Sequence, residues 1–342
     1  MNTNAEKVLK FITARKMVKA SDVAKLLGVS RQYASQLLKS LVHQELVIKL
    51  GSIRNAKYTV PKFADTISAP LRKQRLKNKE LKEHEVLENF MAPFLPFRRA
   101  PENIRSILRY AFSEMLNNAI EHSRSATVEV GLKEDGGKIQ FIVSDFGVGV
   151  FRNIMKQHHL KSEFEAMQDL LKGKTTTAPQ AHSGEGIFFT SKVADRFVLE
   201  SFGHRMVVDN ILQDVFFEKQ KPSKRGTRVI FSVAQNNKRH LNDVFKKFQS
   251  DPEELAFDKT EIHVRLFTIG TVYVSRSQAR RIVIGLEKFK SVILDFAHVP
   301  SVGQAFADEI FRVFKKQHPE VTVTPVHMNE AVRFMIERVD FS

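Results

Sequence analysis

The sequence predicts a multidomain α+β protein of three modules, and three observations point there. Its 342 residues exceed what one ordinary core holds. Positive charge is concentrated at one end: residues 1–80 carry 17 Lys+Arg against 5 Asp+Glu in a chain of net charge +16. The first sixty residues read as helices followed by a hairpin, whereas from about residue 262 short strands alternate with helices, as in a small α/β layer structure. A composition of 42% hydrophobic and 27% charged residues is that of a soluble chain, and no apolar run is long enough to span a bilayer. The opening MNTNAEKVLKFITARK has no apolar core followed by small residues, so no secretion signal is expected. The absence of cysteine excludes disulfides and thiolate metal sites and suits a reducing, cytoplasmic setting.

The basic module comes first. AEKVLKFITARK reads as a helix with Val8, Leu9 and Ile12 on one side. SDVAKLLGV begins at Ser21 as N-cap and ends near Gly28, and SRQYASQLLKSLVHQ starts at Ser30. LVIKLGSIRNAKYTV then reads as two short strands around a glycine-containing turn. Three short helices and a hairpin resemble a winged helix-turn-helix over residues 1–62. The resemblance implies DNA binding: the third helix would offer Ser30, Arg31, Gln32, Tyr33, Ser35 and Gln36 to the major groove, with Arg54 and Lys57 of the wing at phosphates. The local positive field suits that partner, while a small helical domain used for protein contacts is the alternative. Residues 63–84 read as a charged helical linker. His84 beside Glu85 lacks the context of a phosphoaccepting histidine and is expected to be solvated.

In SEMLNNAIEHS, residues 113–123, Glu114, Asn118 and His122 recur every fourth position. They form a polar stripe on a helix of about 101–122 whose apolar side is Ile104, Ile107, Leu108, Ala111, Leu116 and Ala119. Pro101 suits the first turn. A strand pair follows, turning at Asp135, Gly136 and Gly137 and ending in Asp145, Gly147 and Gly149. Further on, Gly184 and Gly186 open another helix, and RGTRVIFSV supplies Thr227 at the head of a last strand.

Taken in order, E-x-x-x-N on a helix, D-x-G-x-G after a strand, G-x-G before a helix and G-T before a strand resemble the GHKL ATPase superfamily over residues 85–235. This is the group of gyrase-type ATPases, the large heat-shock chaperone, MutL-type repair proteins, histidine kinases and anti-sigma-factor kinases. The resemblance implies the Bergerat-type α/β sandwich, with ATP and Mg²⁺ as cofactors. It implies that Asn118 ligates Mg²⁺, that Glu114 orients or deprotonates the nucleophile, and that Asp145 accepts the adenine amino group's hydrogen bond beside Thr227. Gly147 and Gly149 would pass under the base, and Gly184 and Gly186 would bring amides to the phosphates. His122 would touch a phosphate or hydrogen-bond nearby. Residues 150–183 would form a Lys- and Thr-rich flexible lid. Its Gly173, Lys174 and Thr175 imitate the end of a P-loop, but Gln168 stands where that loop needs glycine. EMLNNAIEHS looks most like the anti-sigma-factor serine kinases.

The tail reads as strand EIHVRLF, strand VYV, helix SQARRIVIGLEKF, strand SVILDF, helix SVGQAFADEIFRVFKKQ, strand EVTVTPV and helix NEAVRFMIERV. It resembles the STAS-like fold of anti-sigma-factor antagonists over about 260–342. In that family a serine just before the glycine is phosphorylated. Here Pro300, Ser301, Val302 and Gly303 leave Ser301 as the one hydroxyl, either a phosphoacceptor or an N-cap for the next helix. Asp295, Gln304, Asp308 and Glu309 would form a polar edge. Together the modules predict an ATP-binding regulator of transcription in which a GHKL kinase or ATPase controls a DNA-binding winged helix. The alternative is an ATP-driven homodimerising switch whose N-terminal domain binds a regulatory protein.

Overall fold

The structure, a computed structural model, describes residues 3–44, 46–50, 56–60, 69–175, 184–221, 223–251, 256–267 and 273–340. Its N-terminal module runs α1 (Thr3–Arg15), β1 (Val18–Lys19), α2 (Ala20–Leu27), α3 (Arg31–His43), β2 (Ile48–Leu50) and β3 (Lys57–Thr59), with an antiparallel sheet in the order β1-β3-β2. Val8, Ile12, Val23, Ala34, Leu38, Leu41 and Tyr58 fill its core, while Leu9 is only partly buried. Ser30 caps α3, accepting the Tyr33 N–H at 3.2 Å. Ser21 does not cap α2. The Asp22 carboxylate reaches back to the Lys19 N–H at 2.8 Å, so the helix starts earlier, and Gly28 closes it in the left-handed region at φ 65°.

The central module is a seven-stranded antiparallel sheet in the order β4-β5-β6-β10-β7-β8-β9. The strands are β4 (Ala69–Lys77), β5 (Thr127–Asp135), β6 (Lys138–Asp145), β7 (Arg196–Ser201), β8 (His204–Asp209), β9 (Asp214–Lys219) and β10 (Thr227–Ala234). The helices are α4 (Glu83–Val86), which runs on as a π turn Leu87–Met91, α5 (Leu95–Arg99), α6 (Glu102–Glu121), α7 (Val150–Gln157), α8 (Glu163–Lys172), α9 (Gly186–Val193) and α10 (Leu241–Lys247). Phe112 of α6 meets Phe141 edge-on, and Phe141 stacks on Phe231, so two sheet strands and the long helix share one core.

Strand β4 corrects the helical linker expected over 63–84 in its described part, residues 69–84; residues 63–68 lie outside the described residues. Residues 72–77 pair with 127–132 of β5, and the chain joins the central sheet before the first helix of the module. An edge strand has one hydrogen-bonded side and needs little apolar alternation, and lysines and arginines there discourage pairing with another chain. Arg75 meets Glu129 across the strands at 2.8 Å, and the Arg72 guanidinium lies 4.8 Å over the Phe90 ring. A run of charge was thus an edge and not a solvated helix.

The C-terminal module has three parallel strands, β11 (Lys259–His263), β12 (Ser291–Asp295) and β13 (Thr322–Val326), in that order. Helices α11 (Arg276–Val283), α12 (Gln304–Asp308, prolonged through a π turn to residue 317) and α13 (Glu330–Asp340) pack on them. EIHVRLF is only half strand, since Val264–Phe267 turn into a 3₁₀ helix, and among the described residues of VYV only Tyr273 pairs, in a bridge to Val302. The expected polar edge does not form. Asp308 pairs with Arg276 and Arg312, Glu309 with Arg280, and Asp295 with two histidines.

The two larger modules share apolar packing. Phe188 and Phe189 of α9 join Phe248, Phe257 and Phe289 in the core of the C-terminal module. Helix α8 is tied to the same module: Lys172 Nζ donates to the Arg281 and Ile284 carbonyls at 2.8 Å each, Thr260 Oγ1 donates to the Lys172 carbonyl, and Gln168 Nε2 to the Leu266 carbonyl. The Lys172 ammonium lies at the carboxyl end of α11, where partial negative charge favours a cation. Burial outweighs this and pushes its pKa down to about 8. Below pH 8 the ammonium exists folded and unfolded alike and the burial cost is complete. Between about 8 and the ordinary 10.5 only the unfolded chain keeps the proton, so stability rises with pH there. Lys192, pushed down to about 8 by burial, adds in the same direction. The thermal midpoint is therefore expected to climb from pH 8 to pH 9.5, with a smaller climb in Lys172→Met, as melting curves at constant ionic strength would show.

No helix among the described residues is long and apolar enough to cross a membrane.

Candidate functional site

The polar stripe of α6 lies as its spacing requires. Ile104, Ile107, Leu108, Ala111, Met115, Leu116 and Ala119 are buried against the sheet, and Glu114, Asn118 and His122 line a cavity of about 330 Å³. Tyr110 extends the stripe by one turn. Burial, and then the Glu114 and Glu185 carboxylates, hold its phenol well above the ordinary range, so it stays a neutral donor beside them.

The apolar floor follows from strand register. Leu199 of β7, Val229 of β10 and Val143 of β6 lie side by side across three strands, and all three line the cavity. Two residues along the same face come Asp145, at the end of β6, and Thr227, at the head of β10. Asp145 Oδ1 accepts the Gly147 N–H at 2.9 Å and the Thr227 N–H at 3.1 Å, and Thr227 Oγ1 accepts the Val150 N–H at 3.0 Å. Burial raises the Asp145 pKa; the Gly147 and Thr227 hydrogen bonds and the Lys224 ammonium oppose it.

Gly149, Gly184 and Gly186 complete the wall, whereas Gly147 is not part of it. Gly147 serves packing instead. A Cβ there would fall 1.7 Å from the Ser123 carbonyl oxygen, because the loop after β6 crosses the end of α6, where the Val148 N–H bonds that same oxygen at 2.9 Å. Gly147→Ala is expected to cost about 3 kcal/mol of stability, seen as a lowered denaturation midpoint with an unchanged slope. Gly186 is different, since a Cβ would lie 2.2 Å from Glu114 Oε2. The first turn of α9 therefore packs against the Glu114 carboxylate, which brings the amides of a helix start to the same place as the carboxylate.

The residues fit a magnesium nucleotide. Asn118 lines the cavity, and its buried amide nitrogen has no hydrogen-bond partner among the described residues, so no bond of that nitrogen fixes the amide in its present orientation. Oxygen donors are what Mg²⁺ takes, with water and phosphate completing its shell.

Several lining residues were not anticipated from sequence: Asn117, Asn153, Thr175, Glu185 and the apolar row Val143, Val229 and Leu199. The row was accessible in principle, because Val143 and Val229 stand two positions from Asp145 and Thr227. Asn153 and Thr175 fell only within the expected lid of residues 150–183 and were not singled out as lining residues. The expected flexible lid is two helices, α7 and α8, with residues 176–183 outside the described residues. Lys174 does not face the cavity: its ammonium donates to the Lys288 carbonyl at 2.8 Å and lies 4.9 Å over the Phe289 ring. Ser301 is exposed on the loop after β12 and outside the cavity wall, and it does not cap α12, whose N-cap is Gly303.

On the N-terminal module Arg31, Gln32, Tyr33 and Gln36 lie on the exposed face of α3, with Ser35 half-buried beside the buried Ala34 and Leu38. Lys57 is half-buried on β3, and Arg54 lies outside the described residues.

Two family descriptions match the chain: a histidine kinase-like ATPase domain over residues 78–210 and a STAS-like domain of unknown function over 278–333. No curated protein matches it. The chain thus carries an ATPase-like domain, of the kind that binds ATP, and a STAS-like domain. The first match contains the cavity residues up to Leu199, and the sheet adds β4 before it and β9 and β10, with Thr227, after it.

Proposed function

We propose that the central module binds and cleaves Mg·ATP in the manner of the GHKL superfamily, and that its nucleotide state governs DNA binding by the N-terminal module. The observation that carries the reading is the gathering of Glu114, Asn118, Asp145, Gly149, Gly184, Gly186 and Thr227 around one cavity from separated stretches of chain. In this reading Asp145 accepts the adenine amino hydrogen and Thr227 flanks it. Asn118 holds Mg²⁺, which when bound neutralises charge on the phosphates, and the amides at the start of α9 bind phosphate oxygens. Glu114 orients the attacking nucleophile and takes its proton. Water is that nucleophile, because Ser301 stands outside the cavity wall. His122, at the end of α6, contributes polarity at the rim.

The test is incubation with γ-labelled ATP and Mg²⁺ beside Glu114→Gln and Asn118→Ala. Free phosphate from the parent protein and none from the variants is the expected result. Label held on the chain would make it a kinase, and binding without release would make it a sensor.

For the N-terminal module, α3 offers Arg31, Gln32, Tyr33 and Gln36 to a groove, with Lys57 at phosphate, and the STAS-like module is the regulatory surface. Affinity for duplex DNA is expected to fall steeply with salt. The exposed apolar Leu26 and Tyr33 favour the second reading, a nucleotide-driven dimerising switch that docks a protein there. Salt-insensitive binding of a protein and none of DNA would select it.

A further inference from the structure

The carboxyl ends of the three parallel strands gather side chains that nucleotide chemistry does not use. His263 ends β11, Asp295 ends β12 in register with it, and His327 follows β13. Asp295 is buried, and its two oxygens face two imidazoles. His263 Nδ1 lies 3.0 Å from Oδ2, and His327 Nδ1 lies 3.0 Å from Oδ1, which also accepts the Ala297 N–H at 2.8 Å. Glu261, two residues before His263 and so on the same face of β11, adds a second carboxylate. One ligand atom from each of Glu261, His263 and Asp295 lies within 4.8 Å of the others. In open α/β sheets the carboxyl ends of the strands are where ligands are held.

We propose that Glu261, His263 and Asp295 form a binding site for a divalent transition-metal ion, with His327 orienting Asp295 from the far side of its carboxylate. One imidazole and two carboxylates suit Zn²⁺, Co²⁺ or Mn²⁺, whereas Mg²⁺ prefers an all-oxygen shell. Three protein ligands leave a position open to water or to an incoming donor. His327 hydrogen-bonds the oxygen of Asp295 that faces away from His263, the arrangement by which an outer residue fixes a ligating carboxylate. Two lysines face the cluster. Lys247 Nζ is 3.0 Å from Glu261 Oε2 on an exposed side chain, which can turn to water and yield the carboxylate to a metal. Lys192 approaches from α9 and is held over the Phe188 and Phe248 rings at 5.3 and 5.7 Å. The site therefore lies where the C-terminal sheet meets the helix that opens at Gly186, and a bound cation would act on that junction.

The experiment uses the untagged full-length protein without nucleotide, titrated with Co²⁺ and with Zn²⁺. Visible Co²⁺ absorption reports coordination, and metal content after gel filtration reports stoichiometry. One equivalent is expected, undisplaced by a large excess of Mg²⁺. His263→Ala and Glu261→Gln should each weaken binding at least about tenfold, and His327→Ala about 10- to 100-fold. Lys247→Ala should strengthen it, a direction that misfolding does not produce. Melting curves and ATP binding establish that each variant is folded. Absence of binding to the parent protein, or a Co²⁺ signal retained in both His263→Ala and Glu261→Gln, would overturn the assignment.

Discussion

Glu114→Gln is expected to slow ATP cleavage about 10²–10⁴-fold, the range a positioned general base contributes, while nucleotide affinity changes little. The substitution keeps the side-chain volume beside Gly186, where the carboxylate already touches the start of α9, so the amides of that helix start stay in place. What is lost is the oxygen that takes the proton. Equilibrium binding of a fluorescent nucleotide, measured beside phosphate release, separates the two effects. A parallel loss of both would assign Glu114 to shaping the loop and not to proton transfer. Asn118→Ala provides the contrast: removing the amide should abolish the Mg²⁺ dependence of binding as well as turnover.

Asp145→Asn is expected to weaken ATP binding by about 1.5–3 kcal/mol, the range of a hydrogen bond to a charged group, which is about 10- to 100-fold. Thermal stability should change far less. One oxygen of Asp145 accepts the Gly147 and Thr227 N–H groups, and an asparagine oxygen can take both. The second oxygen becomes an NH₂, which in the proposed binding mode would meet the adenine amino group donor to donor. Relief of the buried charge partly offsets the change, since burial already disfavours the ionised form at this position. Affinity for GTP, which presents an acceptor at that ring position, should fall less than affinity for ATP. Equal losses for the two nucleotides would remove Asp145 from base recognition.

Local periodicity explains which parts of the structure were legible in the sequence. The stripe on α6, the capping of α3 by Ser30 and the central strands SVILDF and EVTVTPV of the C-terminal module are decided within a few residues and lie as read, whereas EIHVRLF and VYV do so only in part. Strand β4 was missed because an edge strand presents no apolar face to count. Gly147 was read as space for a base, and only the crossing of its loop over Ser123 shows what that glycine accommodates. Phe188 and Phe189 follow the glycine box closely and look like the core of their own helix. Their burial against Phe248 and Phe257 depends on residues some sixty positions away, a distance that no pattern within one helix encodes. The place of Lys174 depends on equally distant residues, because its acceptor is the carbonyl of Lys288.

Strand β4 also limits how far the N-terminal module can roam. Nine peptide units separate residue 60 from residue 69, and even fully extended they reach only about 32 Å. The far end of this leash is anchored to β5, whose other neighbour, β6, ends at Asp145. The leash enters the sheet at Ala69, opposite Glu134, whereas Asp145 lies at the other end of the same strands, opposite Val128 of β5, which pairs in turn with Leu76 of β4. With so short a leash, the end of the basic module stays within about 32 Å of the edge strand of the central sheet.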